Sequence, residues 1–294
     1  MGRVVDIDGT LIQPERATVS VFDRGFLYGD SVYEVVRTYA GVPFELEAHL
    51  DRLTRSAELI AMSLPIPKGE LVARIGRAIA AAGNAESYAR VIITRGSGEI
   101  GLDPALARDP KTIIIVRELA TPPPEAYLEG VTIALVGVLR NPRRAMDPAA
   151  KTGNYLNSVL ALAEARKSGA VEAVMLDSEG RVTEGANSNL FAWLDGSLVT
   201  PGLEIGLLAG VTRRVVLELA RQEGLPTAER SLVPADLKRA SEVYITSTTR
   251  EVLPVVKVVT GDTTWPVGGG KVGPIAGRLL AAFRNYASKQ VRQR

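Results

Sequence analysis

Thr121-Pro122-Pro123-Pro124 divides this sequence. Three consecutive prolines favour a stiff, extended connector rather than the continuation of a helix or a strand. The reading therefore places a small N-terminal domain over 1–120, a linker over 121–128 and a larger domain over 129–294. Upstream, Arg3-Val4-Val5-Asp6-Ile7 and Thr10-Leu11-Ile12 flank Asp8-Gly9, a strong signal for a two-residue hairpin. A segment of high β-propensity follows over 32–39. Helices are expected over 47–62, with Leu50, Leu53, Ala57 and Ile60 on one stripe, and over 68–82, closed by Gly83-Asn84. Strands are expected over 89–94 and 112–116. Downstream, strands over 131–138, 173–176, 189–193 and 242–245 alternate with helices over 155–168, 210–222 and 273–288. The pattern predicts an α+β protein with mixed, largely antiparallel sheets.

The 294 residues are enough for a sizeable core without disulfide or metal staples, and 46% hydrophobic with 23% charged residues excludes a disordered or fibrous chain. Lys+Arg of 35 against Asp+Glu of 33 leaves +2, so no basic field points to nucleic acid or an anionic membrane. No apolar run approaches the roughly 20 residues of a membrane span, and the opening Met1-Gly2-Arg3-Val4-Val5-Asp6 lacks the apolar segment of a signal peptide. The expectation is a soluble, cytoplasmic protein without nucleic-acid or membrane partners.

Cysteine is absent and His49 is the single histidine. Thiolate nucleophiles, cysteine-held zinc and iron–sulfur clusters are excluded, as is any metal site with two histidine ligands from one chain. No metal is expected. His49 itself, at the start of a helical segment, reads as a capping or packing residue. Gly268-Gly269-Gly270-Lys271 is followed by Val272, so it reads as a turn and not as a phosphate loop. Chemistry at neutral pH is left to carboxylates, lysine, tyrosine, hydroxyls or a bound cofactor.

Four stretches of the larger domain could supply it. Lys151-Thr152-Gly153-Asn154-Tyr155 precedes a helix. A lysine at a helix start feels the positive end of the dipole, which disfavours the charged amine and suits Schiff-base chemistry; equally, it could be a solvated surface charge. Thr183-Glu184-Gly185-Ala186-Asn187-Ser188-Asn189 puts a carboxylate among small residues before a strand, as a turn residue or as a partner for a ring nitrogen. Leu208-Ala209-Gly210-Val211-Thr212 opens a helix whose free N–H groups could take an anion. Thr246-Ser247-Thr248-Thr249-Arg250 is a phosphate cradle or a simple hydroxyl-rich turn. Together, a lysine for an aldehyde, a glutamate for a pyridinium and two anion sites match the inventory needed to bind pyridoxal 5'-phosphate.

At these residues the chain resembles the class IV aminotransferases, the fold-type IV pyridoxal-phosphate enzymes that include branched-chain and D-amino acid aminotransferases and aminodeoxychorismate lyases. Asp23-Arg24-Gly25-Phe26-Leu27-Tyr28-Gly29-Asp30-Ser31-Val32-Tyr33-Glu34 and His49-Leu50-Asp51-Arg52-Leu53 are similar to family motifs, and the four later stretches follow in family order. The resemblance implies a small α/β sandwich-like domain and a larger pseudo-barrel domain with the cofactor between them, in a homodimer or higher homo-oligomer. It implies that Lys151 forms the Schiff base and moves the proton, that Glu184 pairs with the pyridine nitrogen and that Tyr155 bonds the phenolic oxygen. Arg52, Val211 (through its backbone), Thr212, Ser247 and Thr248 would hold the phosphate. Tyr28, Tyr33, Arg37 and Arg90 would shape the substrate pocket.

The implied activity is transamination between a branched-chain or other hydrophobic L-amino acid and a keto acid such as 2-oxoglutarate. The alternatives are a D-amino acid or (R)-amine transaminase and a lyase. Gly96-Ser97-Gly98-Glu99 contains no histidine where D-amino acid enzymes place one, while Tyr88-Ala89-Arg90 and Asn154-Tyr155-Leu156 resemble the branched-chain group. Thr249-Arg250 stands where that group carries a small pair, so Arg250, or Arg95, is a candidate to grip the substrate carboxylate.

Overall fold

The computed structural model describes residues 2–293. The chain forms two α+β units, Met1–Ala120 with Ala150–Tyr155 and Gln290–Arg294, and Thr121–Ala149 with Leu156–Lys289. Among the described residues no helix is long and apolar enough to cross a membrane.

The first unit is a two-layer α/β sandwich. Its antiparallel sheet runs Thr10–Ile12, Val4–Ile7, Thr112–Glu118, Ser87–Thr94, Ser31–Tyr39, Val42–Pro43. Period-two alternation in Ser87–Thr94 buries Ser87, Ala89, Val91 and Ile93 on one face. Helices Leu46–Leu59 and Lys68–Ala82 cover that face with Leu46, Leu50, Leu53, Ala57, Leu71, Ile75 and Ala78. The opposite parity of Ser31–Tyr39 and Ser87–Thr94 carries Tyr33, Arg37 and Arg90, and this is the face that matters for chemistry. The hairpin turn at Asp8-Gly9 forms as expected, with φ of 50° and 90°, the left-handed pair a type I′ turn needs.

One residue stretch changes company. The sequence reading sets Lys151 in the larger domain, ahead of a helix over 155–168; the helix forms as Leu156–Lys167, while Ala150–Tyr155 groups with the first unit. The cause is backbone pairing. Tyr33 N–H donates to the Lys151 carbonyl at 2.9 Å and Gly153 N–H to the Ser31 carbonyl at 2.8 Å, with a bridge between Val32 and Thr152. Gly153 is required here, since a Cβ would lie 2.3 Å from the Ser31 hydroxyl and 3.0 Å from the Gly29 carbonyl oxygen.

The second unit is built on a curled sheet of nine strands, the expected pseudo-barrel. Eight follow in the order Val182–Gly185, Glu172–Leu176, Val131–Leu135, Glu251–Thr260, Glu242–Ser247, Asn189–Leu194, Ser197–Thr200, Thr227–Glu229, and Thr263–Pro266 pairs with Glu251–Thr260. The core holds Ile133, Leu190, Ile245, Leu253 and Val258, none more than 2% exposed. Helix Val211–Gln222 packs on strand Glu242–Ser247 through its Val211, Val215, Val216 and Leu219 side. The sequence reading assigns no strand over 251–260, a stretch in which Pro254 lacks a ladder donor. The strand forms nonetheless. Pro254 is paired on one side only, with Tyr244, and pairing to Val131–Leu135 begins one residue later at Val255. Residues 124–128 of the expected linker form the short helix Pro124–Leu128.

Ile133 is fully buried, so Ile133→Ala should destabilise the fold by about 3 kcal/mol. Leu128→Ala, at a side chain 76% exposed, should stay within about 0.5 kcal/mol. Urea midpoints of the two variants check this; equal losses would contradict the assigned core.

Candidate active site

In the first unit the lysine is delivered by the pairing just described. Lys151 Nζ donates to the Tyr155 hydroxyl at 3.2 Å and lies 4.5 Å from the centroid of the Tyr33 ring. Tyr33 and Tyr155 meet edge to face, 5.3 Å between centroids, and the Arg90 guanidinium covers Tyr33 at 3.9 Å. Burial, with Tyr155 beside it, pushes the Tyr33 hydroxyl well above the ordinary phenol range, so Tyr33 is a neutral wall. The Lys151 N–H donates to the Ser56 hydroxyl at 3.1 Å, and Ser56 donates in turn to the Arg52 carbonyl at 2.8 Å. This ties the lysine to the helix that carries Arg52.

Arg52 is itself built into a buried cluster. Its Nε and Nη2 donate to Glu34 at 2.6 and 2.8 Å, a bidentate pair. His49 Nδ1 lies 2.8 Å from the same carboxylate, which only accepts, so Nδ1 carries the proton. Glu34 and His49 are at most 1% exposed. Burial opposes the charge on Glu34, but Arg52 and then His49 outweigh it and hold the carboxylate below the usual range. Burial also keeps His49 below its ordinary value, against the pull of Glu34. The result is an ionised arginine fixed by an ionised carboxylate, with a neutral imidazole as the second orienting group. His49 is thus a packing residue with a defined electrostatic duty.

In the second unit Glu184 is held at both oxygens. Arg140 Nε and Nη2 approach Oε1 at 2.9 and 2.8 Å; the Leu208 N–H reaches Oε2 at 3.0 Å and Asn189 Nδ2 at 3.4 Å. Asn189 also donates to the Leu208 carbonyl at 2.9 Å and stands opposite Thr246 in the sheet. A Cβ at Gly210 would lie 1.9 Å from Asn189 Oδ1, so only glycine lets the head of helix Val211–Gln222 close on it. That helix has no side-chain cap on its first N–H groups. The Ser247 and Thr246 hydroxyls are buried and unpartnered among the described residues. Uncapped N–H groups, unpartnered hydroxyls and an anchored carboxylate are what a phosphorylated pyridine requires, and the residues present fit such a group.

Other expected residues have different partners. Arg95 donates from Nε to Asp30 at 2.7 Å and from Nη1 and Nη2 to the Ala61 and Ile60 carbonyls at 2.9 and 2.7 Å. Each of its three nitrogens thus makes one hydrogen bond within the first unit. Arg250 is bound to the buried Glu172 and, at 2.6 Å, to Asn187 Oδ1, so it too is engaged within its own unit. Arg37 stacks on Tyr39 at 4.0 Å and bonds the Thr38 carbonyl; Tyr28 accepts from the Gly101 N–H at 3.2 Å. Thr249 lies in the turn Ser247–Arg250, closed by a 3.2 Å bond from Arg250 N–H to the Ser247 carbonyl. Thr212 is buried at the helix head. Arg140, Asn189, Glu34 and Glu172 are absent from the sequence-derived set of site residues. Glu34 and Asn189 lie inside quoted motifs, so a search there for polar side chains destined for burial would have raised them. Arg140, 44 residues from Glu184, carries no local signal.

The sequence model of the family described as Amino-transferase class IV matches residues 31–258. A Methanocaldococcus jannaschii protein provisionally named a branched-chain-amino-acid aminotransferase is 37% identical over 283 residues, 96% of each chain. A Staphylococcus aureus D-alanine aminotransferase is 34% identical over 284 residues, 95% of this chain and 96% of that one. The crystal structure of the Escherichia coli branched-chain amino acid aminotransferase superposes with a TM-score of 0.90 at 30% identity, covering 97% of this chain and 94% of that one.

The state of His49 sets a pH dependence. The unfolded chain takes up a proton near about pH 6.5 that the folded imidazole resists. The unfolded state then binds more protons, so stability is present above that pH and is lost on acidification. His49→Gln removes the proton while keeping a donor toward Glu34. The loss of denaturant midpoint between about pH 7.5 and pH 5.5 should shrink in the variant. An unchanged loss would show that His49 does not carry it.

Proposed function

Because the chain belongs to the class IV aminotransferases, we propose that it moves an amino group between a branched-chain or other hydrophobic L-amino acid and a 2-keto acid such as 2-oxoglutarate, using pyridoxal 5'-phosphate. The observation that carries the reading is the Lys151 amine held 3.2 Å from the Tyr155 hydroxyl against the Tyr33 ring. When bound, the cofactor supplies an aldehyde and a protonated ring that accepts the electron pair left by the substrate Cα proton. Lys151 Nζ would supply the amine that holds the aldehyde carbon, with loss of water, and would be the base that moves the substrate Cα proton. Tyr155 gives the amine a hydrogen-bond partner, and its hydroxyl would serve the phenolic oxygen.

Glu184, anionic and anchored by Arg140 and the Leu208 N–H, would keep the pyridine nitrogen protonated. Its oxygens accept from Arg140 and the Leu208 N–H, which orients the carboxylate for a protonated ring nitrogen. Arg52, the backbone at Val211, Thr212, Ser247 and Thr248 would hold the phosphate. The Tyr33 ring, kept neutral by burial, favours an apolar substrate side chain, with Arg90 bracing it. We further propose a cytoplasmic homodimer; the exposed Phe26, Ile100 and Leu102 would be covered in it.

The D-amino acid reading rests on the similarity to the D-alanine enzyme. It is disfavoured by the lack of a histidine after strand Ser87–Thr94 and by the engagement of Arg95 with Asp30 and the 60–61 carbonyls.

The purified enzyme should be yellow, and borohydride reduction followed by peptide mapping should label Lys151. In half-reactions followed by cofactor absorbance, L-leucine and L-glutamate should react and D-alanine, D-glutamate and (R)-phenylethylamine should not. Lys151→Ala should lose at least about 10³-fold in rate. A Lys151→Ala protein that transaminates normally ends the assignment. Reaction with D-alanine alone, or amine consumption without stoichiometric keto acid, moves it to the D-amino acid or lyase alternative.

A further inference from the structure

Arg250 is the residue whose place the sequence leaves most open, and the structure gives it a partner. Glu172 opens strand Glu172–Leu176 and its side chain is fully buried. Its Oε1 accepts the Ala186 N–H and its own neighbour's Ala173 N–H, each at 3.1 Å; its Oε2 accepts the Ser188 hydroxyl at 3.0 Å and the Arg250 guanidinium. Arg250 Nη1 also reaches Asn187 Oδ1 at 2.6 Å. One carboxylate thus joins two segments of the second unit. The first is the loop 186–188, which links Glu184 to Asn189. The second is the turn Ser247–Arg250.

The turn needs such a restraint. The residue after Arg250, Glu251, is 3% exposed and sits at φ 56°, the left-handed region that non-glycine residues avoid, at a cost of about 1–3 kcal/mol. The surroundings over-determine it. The Tyr127 hydroxyl donates to the Arg250 carbonyl at 3.2 Å, and Arg284 Nε donates to Glu251 at 2.8 Å. The side chain of Arg250 is the third tether, and it is the one that leads toward Glu184.

We propose that Arg250, acting through the buried carboxylate of Glu172, is a positioning residue that fixes the anion-binding turn Ser247–Arg250 against the loop following Glu184. It sets the spacing between the hydroxyls offered to the phosphate and the carboxylate offered to the pyridine nitrogen. It does not bind the substrate carboxylate. The inference rests on the proposed pyridoxal-phosphate reading of the site.

The test uses the holoenzyme and two readouts. Cofactor retention is the half-life of the visible band after gel filtration into buffer with inorganic phosphate. Substrate recognition is the ratio of KM values for L-leucine and for a carboxylate-free amine such as isobutylamine, measured by half-reaction. Arg250→Met should shorten retention at least about tenfold, a loss of ~1.4 kcal/mol, and leave the KM ratio unchanged. Because Arg250→Met strands a buried charge, Arg250→Met/Glu172→Gln is made in parallel. It should regain the wild-type melting temperature without regaining retention, a split that a merely structural role does not produce. Wild-type retention in the double variant, or a rise in KM confined to L-leucine, overturns the inference. A wild-type protein without a borohydride-fixed group at Lys151 overturns the functional reading and this inference with it. A labelled Lys151 with unchanged retention in the variants overturns this inference alone.

Discussion

The backbone ladder between Ser31–Tyr33 and Lys151–Gly153 is the constraint on which the chemistry depends. A lysine side chain has four rotatable bonds, and fixing it costs up to about 2 kcal/mol of rotamer freedom. The fold limits that cost by fixing the main chain first. The Lys151 carbonyl accepts from Tyr33 and its N–H donates to Ser56, so both backbone polar groups are spoken for within one residue. The same strand supplies the ring that the amine rests against. Sheet, lysine and aromatic wall are therefore one rigid object. The absence of a β-carbon at Gly153 is part of the arrangement, because any other residue would push against Ser31 and Gly29 and open the ladder.

A second regularity concerns buried carboxylates. Glu34, Glu172 and Glu184 each lie under charged and N–H donors and each steers a cation or a loop. Isolated, such charges would cost several kcal/mol apiece in desolvation. Paired bidentately or met by two or three donors, they become rigid anchors whose geometry is set by hydrogen bonds. Glu34 orients Arg52, and Glu184 is oriented by Arg140. In one case the carboxylate serves the cation, in the other the cation serves the carboxylate. The single histidine fits the same logic. It is neutral because burial outweighs Glu34, so it can donate to the carboxylate without adding a second charge beside Arg52.

Much of this is legible in the chain, and what is not has definite causes. Helix stripes such as Leu50, Leu53 and Ala57 and the alternation in Ser87–Thr94 are local periodicities, so the first unit reads directly. Glu251–Thr260 does not, because Pro254 weakens the local signal and only the sheet shows that its missing N–H falls where no neighbour needs it. Lys151 and Tyr155 stand out by residue type in a short motif. Their grouping with the first unit is not legible, since nothing local reveals that the segment pairs with a strand 120 residues earlier. Arg140 and Glu172 are invisible for the same reason. Their partners Glu184 and Arg250 lie 44 and 78 residues away, and a charge in a polar stretch looks solvated until the fold closes.

Three positions within 246–251 break local rules. Thr246 and Ser247 bury hydroxyls without partners among the described residues, each a penalty of about 1–3 kcal/mol, and Glu251 adopts a conformation that its side chain disfavours. Glycine at 251 would relieve the backbone, but it would lose the carboxylate that holds Arg284. Alanine at 247 would remove a buried, unsatisfied oxygen at almost no loss of volume. Both changes would favour a merely stable protein, and the chain makes neither. Three unfavourable choices within six residues, tethered from Tyr127, Arg284 and Glu172, are what results when a turn is shaped for an anion rather than for its own stability.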